Sequence, residues 1–494
     1  MLSLPPVPPQ SLASPRDEAA LARLAETARA DLARLNYPVG NWVPPTEAPH
    51  GAPVLDALVA GAGMCGQTAG YGLLREGITN IRVIDRAARG EEGPWGTYAR
   101  MVTLRSPKHL TGPDLGVPSL TFRAWYEAQH GAAGWEALHK VGRIDWRDYL
   151  LWVRDTVGLR VENDTSLVSV DDSGDLLRVA LRTPRGEEVV WTRKLVLALG
   201  RDGSGAPRWP GFPSLDRTAS RGRVFHSADA IDFDALKGKR VGVLGAGASA
   251  FDNAACALEA GARVSLFARR PILPQVNKSK WTSFAGFFRG YEALDDMRKW
   301  RFYTYIFDEQ VPPPWETVRR CDAHSTFELR LAEPWVDVNA DAQGVTVTTS
   351  KATERFDTII FGTGFDVDLL DRPEIARYLP HIDVWANHVP PEHARKNAEA
   401  ARFPYLGSGF ELRSTDAAHA APLSRMHLFN WGSTMSHGAL AGDIPGLQIG
   451  ARRLAEAIAR DLFVQDADAH WARLQALEEP ELLPTKWYVP PAQR

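Results

Sequence analysis

The chain contains a near-repeat of one structural unit. Residues 54–60 are mainly apolar and lead into GAGMCG, and residues 240–244 are mainly apolar and lead into GAGASA. In both copies a further glycine follows 16 residues after the first, at Gly77 and at Gly261. A second apolar segment then ends 24 residues after the first glycine. Because strand, glycine turn, helix and strand recur together, we expect two parallel βαβ units rather than a chance glycine pattern.

Both turns have the spacing of a dinucleotide-binding loop. The first glycine permits the tight turn, the second lets a pyrophosphate approach the backbone, and the third position lets helix and strand pack closely. Free amide groups at the start of the following helix then hold the phosphates. The positions concerned are Gly61, Gly63 and Gly66 in the first turn and Gly245, Gly247 and Ala250 in the second, with Ser249 beginning the second helix.

The residue at the end of the second strand distinguishes the two ligands. Asp85 can accept hydrogen bonds from both hydroxyls of an adenosine ribose, which favours FAD at the first turn. Arg269 stands at the same offset in the second copy, with Arg270 beside it. Their positive charge favours the 2′-phosphate of NADPH. The alternative for these two arginines is a solvated surface pair.

These features predict an α/β fold with two Rossmann-like dinucleotide-binding domains, for FAD and NADPH, and a helical, aromatic-rich insertion. Residues 281–307 hold ten aromatic side chains, which could line an apolar pocket or form the core of the insertion. The predicted boundaries are an N-terminal extension over 1–53 with a helix near 16–35, an FAD-binding domain over 54–205 that resumes over 366–494, and an NADPH-binding domain over 206–365 with the insertion at about 271–335.

The composition argues against several classes of partner and location. A net charge of -3 supplies no basic surplus, so we expect no nucleic acid partner. No run of 18 apolar residues occurs and the first residues lack a secretory pattern, so we expect no membrane span and a cytoplasmic protein. The cysteines are Cys65, Cys256 and Cys321, and no Cys-x-x-Cys redox pair is present. Cys65 is either a small packing residue or a reactive thiol at a helix start.

At the glycine turns the chain resembles the class B flavoprotein monooxygenases, the group that contains the flavin-containing and the Baeyer-Villiger monooxygenases. GPWGTY, residues 93–98, resembles a segment of that family and implies that Trp95 and Thr97 lie against the flavin. RVFHS, residues 223–227, resembles part of the family's linker fingerprint. This implies that His226 orients NADPH or couples domain movement. A hinge histidine with satisfied hydrogen bonds is the alternative.

The resemblance also suggests catalytic and flavin-contacting residues. Arg105 and Ser106 stand in LRSPKHL, residues 104–110, where flavin-containing monooxygenases carry an asparagine close to the flavin. Arg105 is a candidate charged donor there, or else part of a structural salt bridge. Asp443, in GDIPGL, stands where an aspartate contacts the ribityl or phosphate part of FAD in two-dinucleotide flavoproteins, although an ordinary capped helix gives the same pattern. His437 is a further catalytic candidate.

The activity implied by the resemblance is that of an NADPH-dependent FAD monooxygenase, which inserts one oxygen atom from O2 into a small organic substrate through a flavin peroxide. Only Gly222 and His226 match the linker fingerprint, so oxygenation of nitrogen, of sulfur or of the Baeyer-Villiger type all stay open. An NADPH-dependent FAD oxidoreductase that passes electrons to an acceptor is the main alternative, and a catalytically inactive sensor module is another. The chain is expected to act alone or as a homodimer.

Overall fold

The two glycine turns both lie at the carboxyl ends of parallel strands. The computed structural model describes residues 15–109 and 112–490. Residues 1–14 of the predicted extension, residue 110 of LRSPKHL and residues 491–494 of the predicted C-terminal segment lie outside the described residues. In the described part, the chain forms four β-sheets, namely two larger ones of six and five strands, one of three strands and one of two strands. The two larger sheets are flanked by helices, which confirms the predicted α/β class with two Rossmann-like units.

The described residues form sixteen β-strands. In order they are β1 (Val54–Ala60), β2 (Ile81–Ile84), β3 (Ser166–Ser173), β4 (Leu176–Thr183), β5 (Gly186–Leu197), β6 (Gly205–Pro207), β7 (Val224–His226), β8 (Arg240–Leu244), β9 (Arg263–Phe267), β10 (Phe327–Arg330), β11 (Trp335–Asp341), β12 (Gly344–Thr349), β13 (Thr353–Phe356), β14 (Thr358–Phe361), β15 (Phe365–Val367) and β16 (Met426–Leu428).

The described residues also form fourteen α-helices. In order they are α1 (Glu18–Arg34), α2 (Met64–Arg75), α3 (Phe122–Ala137), α4 (Arg143–Thr156), α5 (Ala248–Glu259), α6 (Ala285–Gly290), α7 (Asp296–Glu309), α8 (Trp315–Asp322), α9 (Pro391–Lys396), α10 (Ala398–Ala401), α11 (Ala417–Leu423), α12 (Thr434–His437), α13 (Ile444–Gln465) and α14 (Ala467–Gln475).

The first sheet brings four strand ends to one edge. Strand β1 pairs in parallel with β2 and β5, and β16 pairs in parallel with β5. The register places Ala60 beside Ile84 and Leu197, and Leu197 beside Leu428. The hairpin of β3 and β4 continues the sheet through antiparallel pairing with the first part of β5. Ligands of open α/β sheets bind outside such carboxyl ends, so this edge is the expected site.

The second sheet is parallel throughout, in the order β10-β9-β8-β14-β7. Leu244, Phe267 and Phe361 end the three central strands at one edge. A separate antiparallel pair, β6 with β15, lies where the chain leaves the first unit and where it returns. The two crossings between the units are therefore held together by backbone hydrogen bonds.

Helix α13 returns the C-terminal part of the chain to the first unit. It packs against α2, where a Cβ added to Gly72 would lie 3.3 Å from the Cβ of Ala455. Glycine at this position therefore lets the two helices approach closely. Because α2 follows the first glycine turn, the start of α13 is positioned against the same edge of the sheet.

Several strand and helix ends differ slightly from the sequence-based expectation. The predicted helix near 16–35 is α1, which begins after the N-cap Asp17, whose side chain accepts from the amide of Ala20. Strand β5 ends at Leu197 and β14 at Phe361, three residues before Gly200 and Gly364 respectively. These glycines have φ of 75° and 79°, which no strand residue adopts, so the chain leaves the sheet before them.

The insertion between β9 and β10 contains α6, α7 and α8. Its aromatic rings pack on one another, as shown by the 5.0 Å between the ring centroids of Phe287 and Tyr291. They also pack on the C-terminal part of the first unit, where the Tyr291 hydroxyl donates to the Met435 carbonyl at 2.9 Å. This arrangement supports the core interpretation of the aromatic segment.

Among residues 15–109 and 112–490, no helix is both long enough and apolar enough to cross a bilayer.

Candidate active site

A cavity of about 830 Å³ lies at the carboxyl edge of the first sheet. Its walls come from the first glycine turn, the loop over residues 84–106, the strand end at 198–202, and the beginnings of helices α5 and α13. The volume falls within the usual range for small-molecule and cofactor sites. None of the ten aromatic residues of the insertion lines it. The pocket interpretation of those aromatics therefore gains no support from this cavity.

The first glycine turn is closed to side chains on the strand side and open on the cavity side. Gly61 has φ of 95°, and a Cβ there would lie 2.4 Å from the Ala198 carbonyl oxygen. A Cβ on Gly66 would lie 1.7 Å from the Gly61 carbonyl oxygen, so only glycine allows α2 to meet the strand end. At Gly63 the nearest atom to an added Cβ is the Gly93 Cα at 3.6 Å. The turn therefore leaves its backbone accessible to a phosphate.

Asp85 follows β2 and lines the cavity. One carboxylate oxygen accepts from the amide of Ala62 at 2.6 Å, and the other accepts from the amide of Ala87 at 2.8 Å. Burial raises the pKa of Asp85, and these two backbone amides oppose that shift. Each oxygen still has a second acceptor position, which two ribose hydroxyls could use.

The segment over residues 93–98 forms part of the cavity wall. Trp95 lines the cavity, and its buried indole Nε1 has no hydrogen-bond partner among the described residues. Thr97 also lines it, with its hydroxyl donating to the Gly93 carbonyl at 2.9 Å. An unpartnered buried donor is costly, so a ligand acceptor beside Trp95 would satisfy it.

Arg105 and Ser106 both line the cavity. Arg105 Nη2 lies 3.1 Å from Oδ2 of Asp252, a residue of α5 whose side chain is 2% exposed. Asp252 also accepts from the Thr317 hydroxyl at 2.9 Å. Burial raises the pKa of Asp252, and the Arg105 charge is the largest opposing influence. The salt-bridge interpretation of Arg105 therefore describes its observed contact, and its exposed edge still faces the cavity.

Asp443 immediately precedes α13 and lines the cavity. Its side chain makes no capping hydrogen bond to the helix, unlike an ordinary N-cap aspartate. Arg201 Nη2 lies 3.9 Å from its Oδ1, and the Arg201 guanidinium lies 4.0 Å from the centroid of the Trp431 ring. Burial raises the pKa of Asp443, while Arg201 and Arg105 lower it. Asp443 thus presents its carboxylate to the cavity between two arginines.

The second glycine turn lies outside this cavity, except for Ser249 at the start of α5. Gly245 has φ of 121°, and a Cβ there would lie 2.5 Å from the Gly362 carbonyl oxygen. Gly247 has open space where a Cβ would be. Arg269 is exposed and makes no ion pair with any described residue, whereas Arg270 donates to the Asp308 carbonyl at 3.3 Å. The geometry at this turn leaves both its backbone and Arg269 available to a ligand.

His226 is fully buried and does not line the cavity. Its Nε2 lies 3.0 Å from the Gly364 carbonyl oxygen, and its Nδ1 accepts from the amide of Ala228 at 3.1 Å. Burial lowers its pKa, so the ring is neutral with the proton on Nε2. His226 therefore ties the strand end of β7 to the loop after β14, which is the hinge arrangement. His437 is likewise buried and away from the cavity, with Nε2 2.9 Å from the Gly407 carbonyl oxygen.

Cys65 is buried, and its sulfur accepts from the Gly442 amide at 3.2 Å. Burial raises the pKa of this thiol to about 12. A thiol that stays protonated is a poor nucleophile, so the packing interpretation of Cys65 fits the structure.

Comparison with known proteins decides the family. The family described as pyridine nucleotide-disulphide oxidoreductase matches residues 58–283. The chain is 41% identical over 457 residues to an FAD-dependent urate hydroxylase from Xanthomonas campestris pv. campestris, covering 91% of this chain and 94% of that protein. It is 28% identical over 395 residues to a Baeyer-Villiger monooxygenase from Streptomyces coelicolor, covering 70% of this chain and 71% of the other. The chain belongs to the class B flavoprotein monooxygenases.

A solved structure shows the same fold in this monooxygenase family. The structure of an ornithine N-hydroxylase from Kutzneria sp. 744 with reduced FAD, NADP+ and L-ornithine superposes on this chain with a TM-score of 0.64. The two sequences are 15% identical, and the superposition covers 83% of this chain and all of the other. Class B monooxygenases use FAD and NADPH with O2 and a small-molecule substrate. The predicted FAD- and NADPH-dependent monooxygenase is therefore confirmed at the level of the family, and the electron-transfer alternative is not favoured.

The residues of this monooxygenase fit an FAD molecule at the first turn. One cavity is bordered by the open side of Gly63, by the two unused acceptor positions of Asp85 and by the unpartnered Nε1 of Trp95. Burying the flavin there would cover surfaces that no protein group covers. These residues could hold the cofactor through the open backbone of the turn and the unused hydrogen-bonding positions of Asp85 and Trp95.

The cavity residues of this monooxygenase that were not singled out from the sequence include Arg201, Asp252 and Asn253. Asn253 donates to the Ser249 carbonyl at 2.8 Å, and its buried Oδ1 has no partner among residues 15–109 and 112–490. The available signal was the pair of polar residues at 252–253 within the otherwise small and apolar α5. A polar pair on the buried face of a helix calls for partners, and a ligand can be one of them.

Proposed function

We propose that this monooxygenase hydroxylates urate, using NADPH and O2. The observation that carries the proposal is the 41% identity, over 91% of the chain, with an FAD-dependent urate hydroxylase. Hydroxylation of a purine ring differs from the nitrogen, sulfur and Baeyer-Villiger reactions that the sequence left open. It uses the same cofactors and likewise adds one oxygen atom to the product.

The chemistry of the cavity supports a planar, anionic and nitrogen-rich substrate. Urate carries a negative charge at neutral pH, and Arg105 and Arg201 both line the cavity. The Asn253 Oδ1 is an unpartnered acceptor that a ring N–H of urate could satisfy. A charged, hydrogen-bonding wall discriminates against apolar ketones, because binding them would leave these groups without partners.

We infer that FAD binds at the first glycine turn and NADPH at the second. FAD would be held by Gly61, Gly63, Gly66, Asp85, Trp95, Thr97 and Asp443, and NADPH by Gly245, Gly247, Ser249, Arg269 and Arg270. The bound flavin supplies the redox chemistry with O2. Support comes from the accessible backbone of both turns and from the acidic and basic residues that follow their second strands.

The roles of the remaining residues follow from their positions. Arg105 is proposed to hold the substrate anion against the cofactor, and Ser106 to donate a hydrogen bond beside it. Both residues line the cavity, as does Asp252, which fixes the position of Arg105. His226 is proposed as a positioning residue that connects the two units through Gly364.

The proposed domain division keeps the predicted boundaries of 54–205 with 366–494, and of 206–365. The pairing of β16 with β5 and the packing of α13 on α2 support joining the last segment to the first unit. We also infer a cytoplasmic enzyme, since all three cysteines are unpaired. A homodimer is supported by exposed apolar side chains near the C-terminal end, including Trp471, Leu474 and Leu477.

The test is an assay of purified protein with added FAD. NADPH oxidation, O2 consumption and loss of the ultraviolet absorbance of urate would be followed together, with xanthine, amines, sulfides and cyclic ketones in parallel. We expect urate to be consumed in a ratio of one to one with NADPH and O2. Consumption of NADPH that yields only hydrogen peroxide with urate, or product from a ketone but none from urate, would remove the proposal.

The cavity arginines provide a second test. Arg201→Met retains much of the side-chain volume but removes the charge, and it should raise the KM for urate by about tenfold, as expected for loss of a charged hydrogen bond. Arg86→Met is a matched control. Arg86 also lines the cavity and pairs with Asp202, but it directly follows Asp85, the residue proposed to bind the adenosine ribose of FAD. An unchanged KM for urate in Arg201→Met would show that Arg201 does not bind the substrate.

A further inference from the structure

The structure brings together three metal-ligating side chains that are far apart in the sequence. His381 ends a 3-10 helix over Pro373–His381, Asp416 immediately precedes α11, and His419 lies in the first turn of α11. One ligand atom from each lies within 4.8 Å of the others. From the sequence alone we predict no metal site, because the histidines of this segment lack a compact ligand spacing and 35 residues separate His381 from Asp416.

Both histidines direct the same ring atom at one carboxylate. His381 Nδ1 lies 2.6 Å from Asp416 Oδ2, and His419 Nδ1 lies 2.9 Å from Asp416 Oδ1. The two imidazole rings are stacked, with centroids 3.5 Å apart and planes 10° apart. Two imidazole nitrogens from separate elements of the chain therefore converge on one carboxylate, which is a donor set that one cation can share.

The backbone holds these side chains in place before any ion binds. Ile382 and Ser414 form an antiparallel bridge, and the amide of Thr415 donates to the His381 carbonyl at 2.9 Å. Asp416 Oδ1 also accepts from the backbone amide of His419 at 3.0 Å, which caps α11. The three ligating groups therefore come from one tied junction and not from independent flexible loops.

We propose that His381, Asp416 and His419 bind one divalent transition-metal ion of the Zn²⁺ class. Imidazole nitrogens select such ions over Mg²⁺ and Ca²⁺, which prefer oxygen ligands. The three side chains are each about one third exposed, so water can complete the coordination shell. The site is separate from the cavity, since none of the three residues lines it.

A bound ion would hold the end of the 3-10 helix against the start of α11. Pro373 and Glu374, at the start of that helix, line the cavity. The site therefore lies on an element that begins at the active-site wall, and its expected role is to stabilise that wall. The proposal is independent of the identity of the substrate.

The experiment is a Zn²⁺ titration of tag-free, chelator-treated protein, followed by calorimetry and by competition with a chromogenic chelator. We expect one ion per chain in the wild-type protein, and at least roughly tenfold weaker binding in His381→Ala and in His419→Ala. His388→Ala is the matched control, because His388 Nε2 makes a similar partly exposed contact, 2.7 Å from Asp383 Oδ2, but belongs to no three-residue ligand cluster in the described part of the chain. Its Zn²⁺ binding should equal that of the wild type.

A second measurement covers the case in which a variant fails to fold. X-ray absorption at the zinc edge of the wild-type protein should show two imidazole ligands. FAD content, read from the visible spectrum, reports whether each variant is folded. No saturable Zn²⁺ binding in the wild type, equal binding in wild type and His419→Ala, or an absorption spectrum without imidazole ligands would overturn the proposal.

Discussion

Arg105 and Asp252 form an ion pair, with Nη2 3.1 Å from Oδ2. The pair joins the loop that follows β2 in the first unit to helix α5 in the second unit. Asp252 is buried and Arg105 is 41% exposed, so the pair lies at the wall of the cavity rather than in a dry core. One contact thus links the region proposed to bind FAD with the region proposed to bind NADPH.

This pair should be energetically coupled. In a double-mutant cycle of Arg105→Ala and Asp252→Asn, we expect a coupling free energy of about 1 kcal/mol, the upper end for a partly exposed pair. Urea denaturation of the four proteins measures it. Additive effects on the free energy of unfolding would mean that the contact does not stabilise the fold.

Asp85 should determine FAD retention. Asp85→Ala removes both acceptors for the proposed ribose contact and should weaken FAD binding by roughly tenfold to a hundredfold. Asp85→Asn keeps one carbonyl acceptor and should fall between the alanine variant and the wild type. The FAD-to-protein absorbance ratio after gel filtration provides the measurement. Full FAD occupancy in Asp85→Ala would contradict the placement of FAD at the first turn.

Arg269 should separate NADPH from NADH. Arg269→Ala should raise the KM for NADPH by about tenfold or more, through loss of a charged hydrogen bond to the 2′-phosphate, and leave that for NADH nearly unchanged. Arg263→Ala is the control, because Arg263 is also exposed but lies at the opposite end of β9. Equal losses for both nucleotides in Arg269→Ala would exclude recognition of the 2′-phosphate.

Gly247 offers a test in which folding and binding can be separated. An added Cβ meets no protein atom within 4 Å there, so Gly247→Ala should fold and retain FAD. It should nevertheless weaken NADP+ binding by roughly tenfold, since the methyl group keeps a phosphate from the backbone amides. Gly66→Ala is the contrasting variant, with a Cβ 1.7 Å from the Gly61 carbonyl oxygen, and should not fold properly. Calorimetry with NADP+ decides, and unaltered affinity in Gly247→Ala would place the pyrophosphate elsewhere.

Acid should destabilise the protein through its buried histidines. Burial lowers the pKa of His437 to about 3, whereas the unfolded chain has the ordinary value of 6.5. The unfolded state therefore binds the extra proton between these values, and stability present above pH 6.5 is lost as the pH falls towards 3. Between pH 6.5 and 5 the loss should be about 1.5 kcal/mol for this histidine.

The test compares the wild type with His437→Gln at several pH values. Glutamine does not take up a proton, so the variant, although less stable overall, should lose less stability on acidification. Urea denaturation at pH 7.5, 6.0 and 5.0 gives the slopes. Identical slopes for the two proteins would show that His437 does not contribute to the acid sensitivity.

The sequence predicted those features that depend on local backbone rules. Gly61 and Gly245 mark positive φ at fixed distances from strands, so their turns can be recognised without tertiary information. The family follows from the same turns. Arg201 and Asp252 were missed because their partners, Trp431 and Arg105, are distant along the chain. No local pattern reports which distant loops a folded sheet brings to its edge.

The histidines also show the limit of local sequence patterns as a guide to functional sites. His226 was singled out by a short motif, but in the structure its two ring nitrogens contact backbone groups and the residue does not line the cavity. His381 and His419 lacked a motif, yet the fold stacks them. Proximity in the sequence was a poor guide in both cases because these side chains meet across long connections.

The insertion has a further consequence for movement between the two units. By chain order it belongs to the second unit, since it lies between β9 and β10, but its aromatic rings pack on the first unit near Met435. Besides the Arg105–Asp252 pair, the second unit is thus held to the first at the β6-β15 crossing and at the insertion. Helices α6 and α7 pack on the first unit, whereas α8 packs on α5 of the second. A movement of the second unit that left α6 and α7 in place would therefore bend the chain near residues 268–278 and 310–314. The insertion therefore restrains movement of the second unit relative to the first, in addition to the restraint at the β6-β15 crossing.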